Sequence, residues 1–185
     1  VKEDVGRKSI VVDVIDPMIE YLAKNYIDKT IGLIGTKQTI NSNIYRKKLD
    51  ELGINIRLNT LSTPLLVPLI EEGFKDQTIM SDAIQSYLNE SSLHNLDALV
   101  LGCTHYPLIK PQIKQFYSDA TVIIDSTDIV AQVVRNILKE RKLLAASSTS
   151  PKKKFYVSDY TPAFSALAHL FFKMPIILEK YPLWE

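Results

Sequence analysis

Short runs of β-branched and other apolar residues alternate with amphipathic stretches along nearly the whole chain of 185 residues. The runs expected to form strands are Ser9–Ile15, Thr30–Ile34, Ile54–Leu58, Asp97–Leu101, Thr121–Ile124 and Phe155–Val157. Strands that alternate with helical stretches of about 10 to 15 residues are typical of a parallel sheet joined by crossover helices. The sequence therefore predicts an α/β fold with largely parallel strands flanked by helices.

The predicted helices begin and end at recognisable residues. Pro17 is well placed to open a helix after the first strand. Asn41 or Ser42 is the expected cap of a helix that runs to about Leu52, where Gly53 stops it. The other helical stretches are Leu65–Glu72, Ser81–Asn89, a segment after Pro107, Asp128–Leu143 and Pro162–Phe172. A small, polar and then basic segment, Ala145–Lys154, is the best linker candidate.

Composition excludes several classes of partner. The formal net charge is +1, which gives no electrostatic case for binding nucleic acid or an anionic membrane. The basic run Lys152–Lys154 is therefore interpreted as a solvated loop. No apolar run approaches the roughly 20 residues that span a bilayer, and the charged first residues do not resemble a secretory signal. A single cysteine excludes an internal disulfide framework and fits the cytoplasm.

The segment Leu99–Pro107 (LVLGCTHYP) carries the clearest chemical signal. Its apolar run ends at Gly102, and Cys103, Thr104 and His105 follow at the carboxyl end of a predicted buried strand. Ligands of open α/β sheets bind at that end of the strands. A thiol held there can act as a base, an acid or a nucleophile once its proton affinity is tuned.

Cys103 has two interpretations from sequence. A buried cysteine is commonly a small core hydrophobe, but the polar residues that follow it favour a pocket. A thiol has an ordinary pKa near 8.5, and a helix beginning around Tyr106–Pro107 would favour its thiolate. His105 could assist proton transfer or hold a substrate carboxylate. A Cys/His hydrolase dyad is a weak interpretation, because such pairs usually come from separate segments. The three histidines show no metal-ligand spacing, so no metal is expected.

Two further segments offer polar groups. Gly32–Thr36 lacks the third glycine of a dinucleotide-binding loop, so Thr36 and Thr39 are better interpreted as binding a small anion such as a carboxylate. The plainer alternative is a strand-to-helix turn with a cap. The neighbouring carboxylates Glu71 and Glu72 point in different directions on a helix, so one of them, Glu71, is assigned to the pocket.

Several blocks, in the right order, resemble the glutamate racemases of the aspartate/glutamate racemase superfamily. The Leu101–Pro107 block (LGCTHYP) is the most specific, because related aspartate racemases keep the cysteine and threonine but usually lack the histidine. The other matching blocks are Val14–Pro17, Ile31–Thr36, Thr39–Tyr45, Leu66–Glu71 and Phe155–Asp159. The resemblance covers essentially the whole chain.

The resemblance implies a racemase that uses two cysteines and neither pyridoxal phosphate nor a metal. Inversion at a carbon requires proton removal and return on opposite faces, which two thiols can provide. Carried over, Cys103 is one of these bases, with His105 and Glu71 supporting proton traffic. Thr104, Thr36 and Thr39 would bind the substrate glutamate, and His105 would contribute to binding. D-glutamate for peptidoglycan is the implied product, and a homodimer is the implied assembly.

The resemblance also implies that the first of two α/β domains is incomplete here. The family's other cysteine lies in a Cys-Asn-Thr motif upstream of the segment matching Val1, and an Asp-Ser-Gly motif lies earlier still; this chain has neither. The expected domains are residues 1–15 as a remnant of the first domain, 16–125 as the second domain, and 126–185 as a return to the first. Since the first residue is not methionine, truncation is the expectation, with a chain that is inactive alone.

A smaller departure is Thr63, which stands where many members carry a cysteine, and no effect on chemistry is expected. Two alternatives to glutamate racemase stay open. One is a racemase acting on aspartate or another acidic amino acid, against which His105 argues. The other is a non-catalytic α/β binding module for an acidic amino acid, which would fit the single cysteine.

Overall fold

Strands and helices alternate along the chain in the computed structural model, which describes residues 9–73, 77–117, 121–145, 152–159, 161–172 and 174–182. The elements are α1 (Asp16–Asn25), β1 (Thr30–Gly35), α2 (Lys37–Asn41), α3 (Ile44–Glu51), β2 (Arg57–Ser62), α4 (Leu66–Glu71), α5 (Gln77–Leu88), β3 (Ala98–Leu101), α6 (Lys110–Phe116), β4 (Val122–Asp125), α7 (Ser126–Glu140), β5 (Phe155–Val157), α8 (Pro162–Phe172) and β6 (Leu178–Lys180). Short 3₁₀ helices lie at Ser91–Leu93 and Tyr106–Ile109.

Four strands form a parallel sheet in the order β2–β1–β3–β4. In the register of the sheet, Ile31 of β1 lies opposite both Leu58 and Ala98, and Ala98 in turn lies opposite Val122. Because all four strands run in one direction, their carboxyl ends share one edge. The predicted parallel α/β sheet with flanking helices is confirmed.

The sheet is buried on both faces, which explains its near-continuous apolar strands. Alternate residues of each strand enter separate cores, as the two-residue period of a strand requires. On one face, Ile34, Leu99 and Leu101 pack with α4, α5 and α6. On the other, Ile31, Leu33, Ala98 and Val100 pack with α1 and α3. Burial on both faces fixes the strand ends firmly in space.

The prediction of a strand at Ser9–Ile15 is wrong. No strand geometry occurs over residues 9–15, and the chain bends into α1. The Asp13 carboxylate accepts hydrogen bonds from the backbone N–H groups of Ile15 at 2.9 Å and Asp16 at 2.7 Å. A side chain that takes up these donors competes with a strand ladder. Pro17 does lie in the first turn of α1, as expected.

The third predicted strand, Ile54–Leu58, begins too early. The strand is β2, Arg57–Ser62, because the preceding backbone is already engaged: Ile54 N–H donates to Leu49 O at 3.1 Å, and Asn55 O accepts from Asp28 N–H at 2.7 Å. The boundaries of other elements differ less from their predicted positions. Helix α5 was predicted at Ser81–Asn89 and begins at Gln77. Helix α7 was predicted at Asp128–Leu143; it begins at Ser126 and ends at Glu140.

The single helix predicted from Asn41 or Ser42 to Leu52 is two helices. Asn41 ends α2, and Asn43 adopts the left-handed conformation (φ 56°) that separates α2 from α3. Ser42 does support the start of α3, since its hydroxyl accepts the Ile44 N–H at 3.3 Å. Gly53, with φ 64°, follows the end of α3 as predicted.

A second, smaller sheet follows the main one. It pairs β5 with β6 in parallel, and β6 has no clear signal in the sequence. Helix α8 between them packs on the main core, where Leu167 joins the cluster that contains Leu66 and Ile70. Of the predicted linker, the structure describes only Ala145 and the exposed Lys152–Lys154, and residues 183–185 also lie outside the described ranges. The division at residues 15 and 125 stays a prediction.

Among the described residues, the helices are too short or too polar for any of them to cross a bilayer.

Candidate active site

Three neighbouring strands of the main sheet deliver polar residues to one cavity. Thr36 follows β1, Cys103 follows β3 after one glycine, and Ser126 follows β4. All three line a cavity of about 350 Å³. The chain passes from β1 to β2 on one side and returns across β1 to β3, so the crevice between the ends of β1 and β3 is the topological switch point. Ligands of open α/β sheets bind at such crevices.

A larger groove, of about 580 Å³, lies elsewhere, between α1 and α7. Its charged lining residues are Glu20, Lys24 and Asp128, and the thiol is not among its lining residues. The smaller cavity is therefore the candidate active site, because it joins the thiol, the histidine and the hydroxyl groups at the ends of the parallel strands.

Gly102 lets the chain leave β3 and turn into the cavity. Its N–H donates to Ile34 O at 2.8 Å, which extends the pairing of β3 with β1 by one residue. A Cβ at this position would lie 2.7 Å from Leu33 Cδ1 and 3.0 Å from Ile34 O. Only glycine allows the two strands to approach this closely. The next residue, Cys103, is therefore held at the crevice.

The Cys103 thiol is partly buried, and its surroundings act on its pKa in both directions. Burial raises the pKa of the Cys103 thiol above its ordinary value; the backbone N–H groups of His105 and Tyr106 lower it, and the negative charge of Glu71 raises it. Burial dominates, so the net shift is upward. The helical turn at Tyr106–Ile109, whose dipole was expected to favour the thiolate, is a four-residue 3₁₀ helix and does not reverse this shift.

His105 bridges Cys103 and Glu71. The Cys103 Sγ lies 3.8 Å from His105 Nδ1, and His105 Nε2 lies 3.2 Å from Glu71 Oε1. With Nε2–H donating to the carboxylate, Nδ1 presents a lone pair to the thiol. This Cys–His–Glu arrangement can pass a proton between the thiol and the histidine. The two side chains meet although they lie only two residues apart, because the chain turns at Thr104–His105.

Glu71 reaches the site from the last turn of α4, with 54% of its side chain exposed. It is the member of the Glu71–Glu72 pair that contacts His105, and it reaches the site through this contact rather than as one of the residues that line the cavity. The ring of Phe171, from α8, lies edge-on to His105 with the ring centroids 6.0 Å apart. The histidine is thus held between a carboxylate and an aromatic ring.

The three predicted threonines all line the cavity. Thr36 caps α2, since its Oγ1 accepts the Thr39 N–H at 3.2 Å and lies 3.0 Å from Thr39 Oγ1. The turn-and-cap interpretation is therefore correct for Thr36, and it is compatible with hydroxyl groups that face the cavity. Thr104 is exposed at its rim.

Sequence reasoning missed several lining residues. Ser126 could have been found, because it follows a strand end in the same way as Thr36. Tyr45 comes from α3, where burial raises the pKa of its phenol to about 12 and keeps it protonated. The remaining missed residues are Val14, Ile15, Val67, Leu101 and Gly102. Within the described ranges, no three His, Cys, Asp or Glu side chains converge as a metal site would require.

Comparison with known proteins identifies several relatives. The glutamate racemase of Chlorobium phaeobacteroides is 38% identical over 144 residues, which are 78% of this chain and 53% of that protein. A crystal structure of glutamate racemase from Francisella tularensis in complex with D-glutamate is 32% identical with a TM-score of 0.84, covering 97% of this chain and 66% of that one. The glutamate racemase isoform RacE1 from Bacillus anthracis superposes with a TM-score of 0.86 at 28% identity, covering 98% of this chain and 68% of that one.

The chain thus spans about half the length of the Chlorobium protein. The Asp/Glu/hydantoin racemase family model matches residues 10–134. That range contains the main sheet, the Cys103 turn, His105 and Glu71, and it extends into α7. With more than half of its residues matched, including the whole candidate site, the chain belongs to the Asp/Glu/hydantoin racemase family.

Proposed function

We propose that the Cys103 cavity is one half of the active site of a glutamate racemase that uses two thiols and no cofactor. The observation that carries the proposal is the Cys103–His105–Glu71 arrangement at the switch point of the sheet, with distances of 3.8 and 3.2 Å. The similarity to glutamate racemases supports glutamate as the substrate.

The proposed reaction is a proton transfer at the α-carbon of glutamate. In one direction the Cys103 thiolate takes the α-proton, the electron pair stays on the substrate as a carbanion, and a second acid returns a proton to the opposite face. In the other direction the Cys103 thiol is the donor. His105 Nδ1 accepts the thiol proton when the thiolate forms, and Glu71 stabilises the resulting imidazolium.

The second acid–base group must approach from the face opposite Cys103. Cys103 is the only cysteine of these 185 residues. We therefore propose that the second thiol comes from outside them, and that these residues alone do not racemise glutamate.

The hydroxyl groups of the cavity are assigned to the substrate carboxylates. Thr36, Thr39 and Thr104 can donate hydrogen bonds, and among the described residues that line the cavity none is a lysine or an arginine. His105 would add a charged donor when protonated. The proposed role is to supply D-glutamate for peptidoglycan in the cytoplasm, and a homodimer is the proposed assembly.

Two other functions make different predictions. A racemase for aspartate or another acidic amino acid would show its largest kcat/KM with that substrate. A non-catalytic binding module would bind glutamate without exchanging its α-proton. The contact of His105 with both Cys103 and Glu71 favours a catalytic site, because a binding module needs no proton acceptor beside the thiol.

The test is racemisation by the protein in its native length, followed as loss of the circular dichroism of L-glutamate. Wild type should racemise glutamate in preference to aspartate, and Cys103→Ser should lower kcat by at least about a thousandfold, because a hydroxyl is a far weaker acid than a thiol. The 185 residues alone should give no racemisation.

Racemisation by Cys103→Ser at the wild-type rate would refute the assignment of the thiol. Tight binding of glutamate by the native protein, without racemisation, would instead support the binding module.

A further inference from the structure

Thr63 occupies a buried position that the proposed reaction does not use. It is 0% exposed and lies directly between β2 and α4. Its side chain points at Tyr106, which is also 0% exposed and follows His105 in the chain. A hydroxyl group in this setting costs stability unless it is hydrogen-bonded. Its partners therefore indicate why it is there.

A chain of hydrogen bonds passes through the Thr63 hydroxyl. Thr63 Oγ1 lies 2.6 Å from the Tyr106 hydroxyl and 3.3 Å from Gly35 O. Gly35 O can only accept, so the Thr63 hydroxyl is the donor in that contact, whereas either hydroxyl can be the donor in the 2.6 Å contact between Thr63 and Tyr106. Burial raises the pKa of Tyr106 strongly, so its proton is present throughout the working pH range.

These hydrogen bonds join the three segments that form the site. Gly35 ends β1 and precedes Thr36, while Tyr106 begins the helical turn behind the Cys103 thiol. Thr63 O accepts from the Leu66 N–H at 3.2 Å, at the start of α4, which ends in Glu71. The same oxygen lies 3.3 Å from the Tyr106 hydroxyl.

The turn that carries the thiol is tied to the same tyrosine. Tyr106 N–H donates to Cys103 O at 3.1 Å. A shift of the Tyr106 ring would therefore move the backbone next to Cys103 and His105. A methyl group at position 63 in place of the hydroxyl would remove the 2.6 Å contact with the Tyr106 hydroxyl, which would keep Thr63 O at 3.3 Å, while Gly35 O would keep the Thr63 N–H at 2.9 Å.

We propose that the Thr63 hydroxyl is a positioning group, which through Tyr106 holds Cys103 and His105 at the distance from Glu71 that proton transfer requires. The proposal rests on the proposed racemase function. Many of the racemases that the sequence resembles carry a cysteine at the position of Thr63, and the threonine was expected to have no effect on the chemistry. The proposal assigns this threonine a role. A thiol is a weaker hydrogen-bonding partner than a hydroxyl, so threonine makes a stronger connection here.

The test compares Thr63→Val with Thr63→Ser in the native-length protein. Valine keeps the shape and removes the hydroxyl, whereas serine keeps the hydroxyl. We expect Thr63→Val to lower kcat by about tenfold or more, with KM changed by less than about threefold, because misplaced catalytic groups affect the chemical step. Thr63→Ser should restore kcat to within about threefold of wild type.

A second readout separates this proposal from the proposed function. The native-length protein is alkylated with iodoacetamide at a series of pH values, and the modification of Cys103 is quantified on the peptide that contains it. The alkylation rate rises with the thiolate fraction, so the midpoint of its pH profile reports the ionisation of the thiol without any substrate. Thr63→Val should move the midpoint to higher pH, because the backbone N–H groups that favour the thiolate lose their fixed position. Tyr106→Phe removes the same hydrogen bond from the other side and should give the same shift.

A matched control is Thr121→Val. The Thr121 hydroxyl donates a hydrogen bond of 3.0 Å to Leu96 O, and Thr121 directly precedes β4, which lies at the opposite side of the sheet from β2. Thr121→Val should leave the alkylation midpoint unchanged. A Thr63→Val midpoint that is unchanged or moves to lower pH would overturn the positioning role, even if wild type racemises glutamate. Failure of wild type to racemise, with the midpoint shifted as expected, would overturn the proposed function and leave the positioning of the thiol supported.

Discussion

The reactivity of Cys103 is determined by groups from two parts of the chain. Burial and the neighbouring backbone N–H groups are local, because they follow from the turn Cys103–Tyr106 itself. The charge of Glu71 comes from α4 and acts on the thiol both directly and through His105. A carboxylate beside a thiol makes the thiolate less stable, but it makes the imidazolium that forms with the thiolate more stable.

These opposing effects can be separated without substrate. Because the Glu71 charge raises the pKa of Cys103, Glu71→Gln should move the pH midpoint of Cys103 alkylation to lower pH. Racemisation should become slower, because the His105 imidazolium loses its carboxylate partner. The matched control is Glu72→Gln, which removes the same charge one residue further along the chain. An alkylation midpoint that stays unchanged or moves to higher pH in Glu71→Gln would show that the carboxylate does not act on the thiol as described.

At this scale the sequence identified the chemical groups but not their contacts. Cys103, Thr104 and His105 could be found because they directly follow an apolar strand. The contact between the thiol and His105 could not, since it depends on how the chain turns after Gly102 and brings Cys103 Sγ to 3.8 Å from His105 Nδ1. Thr63 was assigned no effect because its partners, Gly35 and Tyr106, are 28 and 43 residues away in sequence.

At the scale of elements, the junction of β4 and α7 borders the cavity through Ser126. Asp125 ends β4 with 7% of its side chain exposed, and its Oδ1 accepts the Thr127 N–H at 2.8 Å. Its Oδ2 lies 2.6 Å from Lys110 Nζ, at the start of α6. Burial raises the pKa of Asp125, but Lys110 and Thr127 together outweigh burial and hold it below its ordinary value. The carboxylate therefore stabilises the fold in its charged form.

The pH dependence of this stabilisation has a definite sign. A carboxyl group with a lowered pKa in the folded state stabilises the protein above its unfolded pKa, near 3.9, and this contribution is lost as pH falls through the folded value. Asp125→Asn should reduce the free energy of unfolding by roughly 1–3 kcal/mol at pH 7, and its difference from wild type should shrink below about pH 4.

Calorimetric unfolding at a series of pH values tests this, with Asp128→Asn, at an exposed position in the first turn of α7, as the control. A difference between Asp125→Asn and wild type that stays constant down to pH 2 would contradict the account.

Elements with strong local signals were predicted well. Strand β1 and helices α1, α4 and α8 lie within a few residues of their predicted positions, because apolar periodicity and Pro17 decide them locally. Three misassignments have tertiary or side-chain causes. The Asp13 carboxylate takes up the N–H groups at the start of α1, Asn43 adopts a left-handed conformation between α2 and α3, and β6 is a strand only because β5 lies beside it.

At the scale of the whole molecule, the site is built at the edge of one sheet. The ends of β1, β3 and β4 provide its hydroxyl groups and thiol, α4 provides Glu71, and α8 packs Phe171 against His105. The sequence predicted this edge correctly, because parallel strands bring their carboxyl ends together. We propose that the second acid–base group enters the cavity from the side opposite the thiol, from outside these 185 residues.

The most direct test of the two-base account is hydrogen exchange at the α-carbon of glutamate, measured in D2O with the native-length protein and each enantiomer separately. With one base on each face, the product enantiomer should carry deuterium from the start of the reaction, while the remaining substrate keeps its protium. Cys103→Ser should abolish this pattern. Early deuterium in the recovered substrate as well as in the product, or exchange by Cys103→Ser at the wild-type rate, would contradict the claim that Cys103 is one of two opposed bases.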